Sequence, residues 1–233
     1  MKYTVSSWVF EKIPQVQFGI IVARGLKNSQ STESDEKALR EGERLVRERI
    51  PLEELKTHPR IKDYRDALAG VEINPNKYQN SVEAMTKRVI KGNNLPLINA
   101  LVDRCNGISL KYVISLGGHD LKDIHADLSV RLSREGDRYL PFGEKDFEEV
   151  PPGELVFISG NEVQTRQWLW RQSELGKMTL DTKDVFFQLV GFEGEHHADF
   201  LKAVAEVENL VTERFSGTCE TYIVNRERPQ IDF

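Results

Sequence analysis

The spacing of apolar residues changes character near the middle of the chain, from helical periods to short alternating runs. At the start, "WVFEKIP" and "VQFGIIVARGL" read as two strands broken at Pro14, since alternation and β-branched residues suit a pleated, half-buried surface. The hydroxyls and acids of "NSQSTESDE" then suit a helix start, and a charged helix is expected over about 34–50. Pro51 interrupts it, and a second helix carrying Tyr64, Leu68 and Ala69 is expected to stop at Gly70. In "SVEAMTKRVIKG", Val82, Met85, Val89 and Ile90 share one helical face, with Ser81 as N-cap and Gly92 as the stop. "NNLPLINALVDRCNG" repeats that grammar: Pro96 falls in the first turn, Ile98, Leu101, Val102 and Cys105 form the stripe, and Gly107 ends the helix. Asn99 and Asp103 lie one turn apart beside it.

Beyond Gly107 short strands are expected near 112–116, 127–132, 155–159 and 165–170, separated by Gly, Pro and acidic turns. One amphipathic helix, with Phe200, Leu201, Val204, Val207 and Leu210 at helical spacing, precedes a last strand at "ETYIV". The pattern predicts an α+β fold with a β-rich, mixed-sheet core and flanking helices. No repeat, low-complexity tract or linker divides the chain, so residues 1–233 are expected to form a single domain.

Composition narrows the class. With 39% hydrophobic and 30% charged residues the chain suits a folded protein with a substantial core. The N-terminus has no apolar leader, and no window approaches the length of a membrane span, so a cytoplasmic protein is expected. Cys105 and Cys219 lack the paired spacing of a zinc site or a disulfide framework and read as buried thiols. A net charge of −5 argues against DNA or any long nucleic acid held by bulk electrostatics, while leaving room for a local basic patch.

Several motifs offer chemistry. "LGGHDLKDIHADL" gathers His119, Asp120, Asp123, His125 and Asp127, but in no order known for zinc, and reads as a tight turn permitted by Gly117 and Gly118 and capped by its aspartates. "HHAD", from His196, complements a helix dipole. Serine-hydrolase elbows, P-loops and dinucleotide fingerprints do not occur, and neither a metal nor a cofactor is expected. In "TRQWLWRQSELGK" a strand would project Arg166, Trp168, Trp170 and Gln172 to one face and Gln167, Leu169 and Arg171 to the other. Such a stripe suits a sugar-phosphate end with stacked bases; equally, the tryptophans could fill the core while the arginines snorkel to solvent.

Taken in order, "NPNKYQNSVEAMTKRV", "LPLINALVDRCNGISL", "GGHDLKDIHADLSVRLS", "GELVFIS" and "RQSELGKMTLDTKDVFF" resemble the B-three/B-four editing and tRNA-binding domain of the bacterial phenylalanyl-tRNA synthetase beta subunit, over about 75–192. The resemblance implies that fold, a tRNA or aminoacyl-tRNA partner, and a pocket where misattached tyrosine is cleaved from tRNA(Phe). It places Asn99, Asp120, Glu174, Thr179, Thr182 and Gln188 around the pocket, with His119 as the nearest imidazole, while the basic and aromatic stripe puts Arg166, Trp168, Arg171 and Lys177 on the RNA. It names no catalytic residue. Where the synthetase pattern has a glutamate that reads the tyrosine hydroxyl, this chain has Gln188, and where it has a histidine, this chain has Gly117. An amide bonds a phenol without charge assistance. Three functions follow: a deacylase of mischarged tRNA acting in trans, a non-catalytic module for a tRNA end or a free amino acid, and a small-molecule hydrolase on the same scaffold.

Overall fold

In the computed structural model, which describes residues 1–233, the chain opens with β1 (Lys2–Val5), passes through a short helix α1 (Ser7–Lys12) and enters β2 (Val16–Arg24). Four helices follow, α2 (Glu33–Arg49), α3 (Pro59–Gly70), α4 (Ser81–Ile90) and α5 (Ala100–Tyr112). The β-rich half holds β3 (Ser115–Asp120), β4 (Leu128–Leu132), β5 (Arg138–Tyr139), β6 (Glu148–Glu149), β7 (Leu155–Ser159), β8 (Glu162–Arg166), β9 (Arg171–Gln172) and β10 (Val185–Phe192). Helix α6 (His197–Asn209), β11 (Thr218–Val224) and β12 (Gln230–Asp232) complete an α+β fold. No helix is long and apolar enough to cross a membrane.

Two sheets organise these elements. One has the order β11-β2-β10-β3; the other runs β12-β1-β4-β7-β8-β5-β6, with β9 added to β8. Strands β2 and β10 are buried almost throughout, so alternate residues feed two cores. Ile21, Ala23, Phe187 and Leu189 pack against Leu101 and Ile108 of α5 and Phe200 and Val204 of α6. Phe18, Ile20, Phe186 and Val190 face the second sheet, meeting Tyr3, Val130, Phe157 and Trp168. The four-stranded sheet is thus covered on both faces, which explains the unbroken apolar runs of its central strands.

Local chemistry sets the helices. Thr32 and Asp35 form a reciprocal capping box on α2, and Asn99 caps α5 by accepting from the Val102 N–H. Helices α2 and α5 meet at Gly42 and Gly107, where a Cβ on Gly42 would stand 2.6 Å from the Gly107 carbonyl oxygen. Gly107 is therefore a close-approach site inside a helix rather than its end. Pro96 and Ile98 precede that helix, and Ile98 is exposed. Asn80, not Ser81, caps α4, because its side chain accepts from the Val82 N–H.

Three further expectations are corrected. "WVFEKIP" is mostly helical: Val9, Phe10 and Ile13 are buried at i, i+1 and i+4, one face of a helix, while Glu11 and Lys12 are exposed. The segment expected to turn at 117–120 is strand β3, because the glycines pair with β10, Gly117 opposite Gln188 and Gly118 opposite Phe187. The strand expected over 165–170 breaks after Arg166, where Gln167 and Trp168 take left-handed backbone angles of φ 48 and 60°. That turn sends Trp168 into the core and prevents the alternate projection of Arg166, Trp168 and Trp170.

Candidate functional site

Strand β3 is the open edge of its sheet, and the polar segment after β9 lies along it. In an antiparallel ladder both main-chain groups of a residue point the same way. The Asp120 N–H donates to Gly176 O at 2.7 Å and Gly118 O accepts from Gln172 Nε2 at 3.0 Å, both away from β10. Inside the segment the Thr182 hydroxyl donates to the Asp120 carboxylate at 2.6 Å and accepts from the Thr179 N–H at 2.8 Å. Asp120 also accepts from the Lys122 N–H at 3.0 Å. Asp120 and Thr182, both expected at the pocket, are buried braces that fix the loop to the edge.

A cavity opens on each side of this edge. Toward the helices lies a cleft of about 720 Å³, walled by the α5 cap Asn99 and Val102 of α5, Leu116, Gly117 and Gly118 of β3, Gln172 of β9, and Lys177, Met178 and Thr179 of the loop. Ile98, Phe142 and Leu180 stand exposed on its rim. Toward the second sheet lies a pocket of about 100 Å³, lined by Ser115, His119, Thr165, Trp168, Trp170 and Gln188 among others. Leu116, Gly117 and Gln172 wall both. A Cβ at Gly117 would project toward His119, 3.6 Å from its Nε2.

The small pocket is polar but carries no Asp, Glu, Lys or Arg. His119 is buried with its ring 4.9 Å from that of Phe157, and desolvation lowers its pKa from 6.5 to about 4, so the imidazole is neutral. Its Nδ1 has no partner. Gln188 Oε1 accepts from the Tyr3 hydroxyl at 2.8 Å, and burial pushes that phenol well above its ordinary range. Trp168 is fully buried and its indole N–H is unpartnered.

In the open cleft, Asn99 accepts from Val102 N and Asn28 Nδ2, both at 3.1 Å, and donates to Met178 O at 3.3 Å. Its polar atoms hold α5 to the loop. The Thr179 hydroxyl is buried and unpartnered. Glu174, expected beside these residues, lines neither cavity: it accepts from the Gly143 N–H at 3.0 Å and pairs with Lys177. Lys177 first, and Gly143 second, hold its carboxyl below the usual range.

The basic and aromatic stripe divides. Arg166 makes two 2.6 Å bonds to the Glu154 carboxylate, and Trp168 is core, so neither offers a free face to RNA. The exposed part is a ladder at the rim of the small pocket: the Arg171 guanidinium lies 4.4 Å from the Trp170 ring, Trp170 meets Tyr78 edge-on at 4.9 Å, and Lys77 sits 4.9 Å from the Tyr78 ring. Tyr78 and Lys77 lie on the α3–α4 connection, too distant in sequence for strand spacing to reveal. Tyr3 gave no sequence signal at all, 185 positions from its partner.

Among solved structures the chain is similar to an N-terminal fragment of the phenylalanyl-tRNA synthetase beta subunit from Pyrococcus horikoshii, at 12% identity and a TM-score of 0.45, over 95% of this chain and 53% of that one. The chain thus spans about half the length of that fragment. No curated protein matches it. The sequence profile of the B3/4 domain matches residues 63–221, which hold β3, β10, the loop between β9 and β10, and every wall of both cavities named above; with more than half of its length so matched, the chain belongs to the B3/4 domain family.

Proposed function

We infer that this protein binds the aminoacylated end of a tRNA, with the aminoacyl side chain in the small pocket and the terminal ribose and phosphate in the open cleft. The observation that carries this reading is the juncture at Gly117, where a small polar pocket and a wide cleft meet over a strand edge bare of side chains. An ester linkage lying across that edge would place a small side chain on one face and a larger nucleotide on the other. The ladder of Lys77, Tyr78, Trp170 and Arg171 gives an acidic protein a local surface for a nucleic-acid end.

Binding is favoured over a strong catalytic apparatus, because no nucleophile and base stand in hydrogen-bonded partnership on either wall. Hydrolysis in trans would rest on positioning an already activated ester, since the one unpartnered hydroxyl beside the cleft, that of Thr179, is shielded from water. Filter binding and deacylation, run with a panel of charged and uncharged tRNAs, test the reading. Charged species should bind more tightly, and Gly117→Val should abolish the difference while the fold survives, since the added Cβ meets only an ordinary contact. Equal affinity for charged and uncharged tRNA, or none for either, overturns it.

A further inference from the structure

Two glutamines wall the small pocket, and the protein fixes their amides in opposite senses. The Tyr3 hydroxyl donates to Gln188 Oε1 and has no other partner. Turning that amide over would leave a buried phenol proton unbonded, with the full desolvation penalty of an unpaired donor. Gln188 Nε2 is thereby left to the pocket as a donor. Gln172 is held the other way: its Nε2 donates to Gly118 O at 3.0 Å and to Gly176 O at 3.3 Å, so its Oε1 remains as an acceptor on the wall shared with the cleft.

We propose that the small pocket selects its aminoacyl group by polarity, taking a short side chain that ends in an uncharged acceptor oxygen at Gln188 while Gln172 accepts from the α-ammonium, with Tyr3 as the positioning residue. This rests on the aminoacyl reading and deepens it. Because no charged side chain lines the pocket, discrimination depends on matched neutral hydrogen bonds, and a ligand that leaves a buried donor unpaired is rejected. Tyr3 lies outside residues 63–221, so this polarity is a property of this chain's first strand joined to the family's matched region.

Three probes of similar side-chain length separate the cases: 3′-aminoacylamino-3′-deoxyadenosines carrying asparagine, leucine or 2,4-diaminobutyrate, whose amide linkage resists hydrolysis. By calorimetry the asparagine probe should bind roughly tenfold more tightly than the leucine probe, and the diaminobutyrate probe most weakly. In Tyr3→Phe the Gln188 amide is free to turn, so the asparagine advantage should shrink and the diaminobutyrate probe should gain. Gln188→Met should remove the asparagine preference altogether, and it decides the matter if Tyr3→Phe does not fold. Leucine binding as tightly as asparagine overturns the polarity proposal but leaves an aminoacyl site standing. Failure of all three probes to bind overturns both. Unchanged preferences in a Tyr3→Phe protein of wild-type melting temperature strike Tyr3 from its role.

Discussion

The two sides of strand β3 are built on opposite plans. Toward the second sheet, the pocket is small, the amides of Gln172 and Gln188 are held by named partners, and His119 and Trp168 carry buried polar atoms that no protein group satisfies. Toward the helices, the cleft is several times larger and rimmed by exposed Ile98, Phe142 and Leu180. A prearranged wall discriminates, since a wrong ligand strands a buried donor, whereas an open apolar rim tolerates variety and contributes area. One strand edge thus separates a region suited to selecting from a region suited to holding.

Trp168→Ala should break this contrast most severely. Removing a fully buried indole from between the sheets should cost about 3–5 kcal/mol in urea unfolding, while Trp170→Ala, a substitution at the rim, should leave stability nearly unchanged. Comparable small losses in both variants would mean that Trp168 is not packed as a core residue.

The second test is pH. His119 titrates near 4 in the folded protein against 6.5 as its ordinary value, so between these limits the unfolded chain binds the extra proton. Stability from its burial is fully present above pH 6.5 and is lost as pH falls toward 4, by about 3 kcal/mol for such a shift. His119→Phe should remove that part of the slope. His58, also lowered by burial, contributes in the same window, so the difference between wild type and variant is the quantity to measure. Identical slopes would place the proton elsewhere.

On the binding side, Trp170→Ala should weaken the grip on a single-stranded RNA end by about 1–3 kcal/mol, seen as a change in Kd at fixed salt, if the rim ladder stacks a base. Arg166→Met should leave that Kd unaltered, because its guanidinium is committed to Glu154, and should show its effect in stability instead. The smallest effect is expected from Glu174→Ala. Its partners are Lys177 and a main-chain N–H near the surface, so stability should change by at most about 1 kcal/mol and probe affinity hardly at all.

Elements with a single consistent rhythm were legible from sequence: β2, the α2 and α3 helices, β7 and the apolar face of α6. What misled was chemistry that serves two masters. Gly107 has the residue type of a helix stop but exists to let Gly42 approach, and the glycines at 117 and 118 have the look of a turn but form a strand edge. Alternation through 166–170 presumed a continuous strand, and two left-handed residues undid it. For the candidate site, Asn99, Lys177 and Thr179 fall on the cleft and His119 and Gln188 on the pocket, all drawn from segments whose order was recognisable. Tyr3 was beyond reach, since no periodicity links a residue of the first strand to one in the tenth.

That same separation has a kinetic consequence. The Tyr3–Gln188 bond closes a loop of 185 positions and requires β1 to insert between β4 and β12. Contacts so remote in sequence form slowly, because the entropy of closure is spent before the contact rewards it. During refolding, the burial of Trp168 should therefore precede formation of the Tyr3–Gln188 bond, and a newly made chain passes through an interval in which the pocket exists but the Gln188 amide is not yet held in one sense.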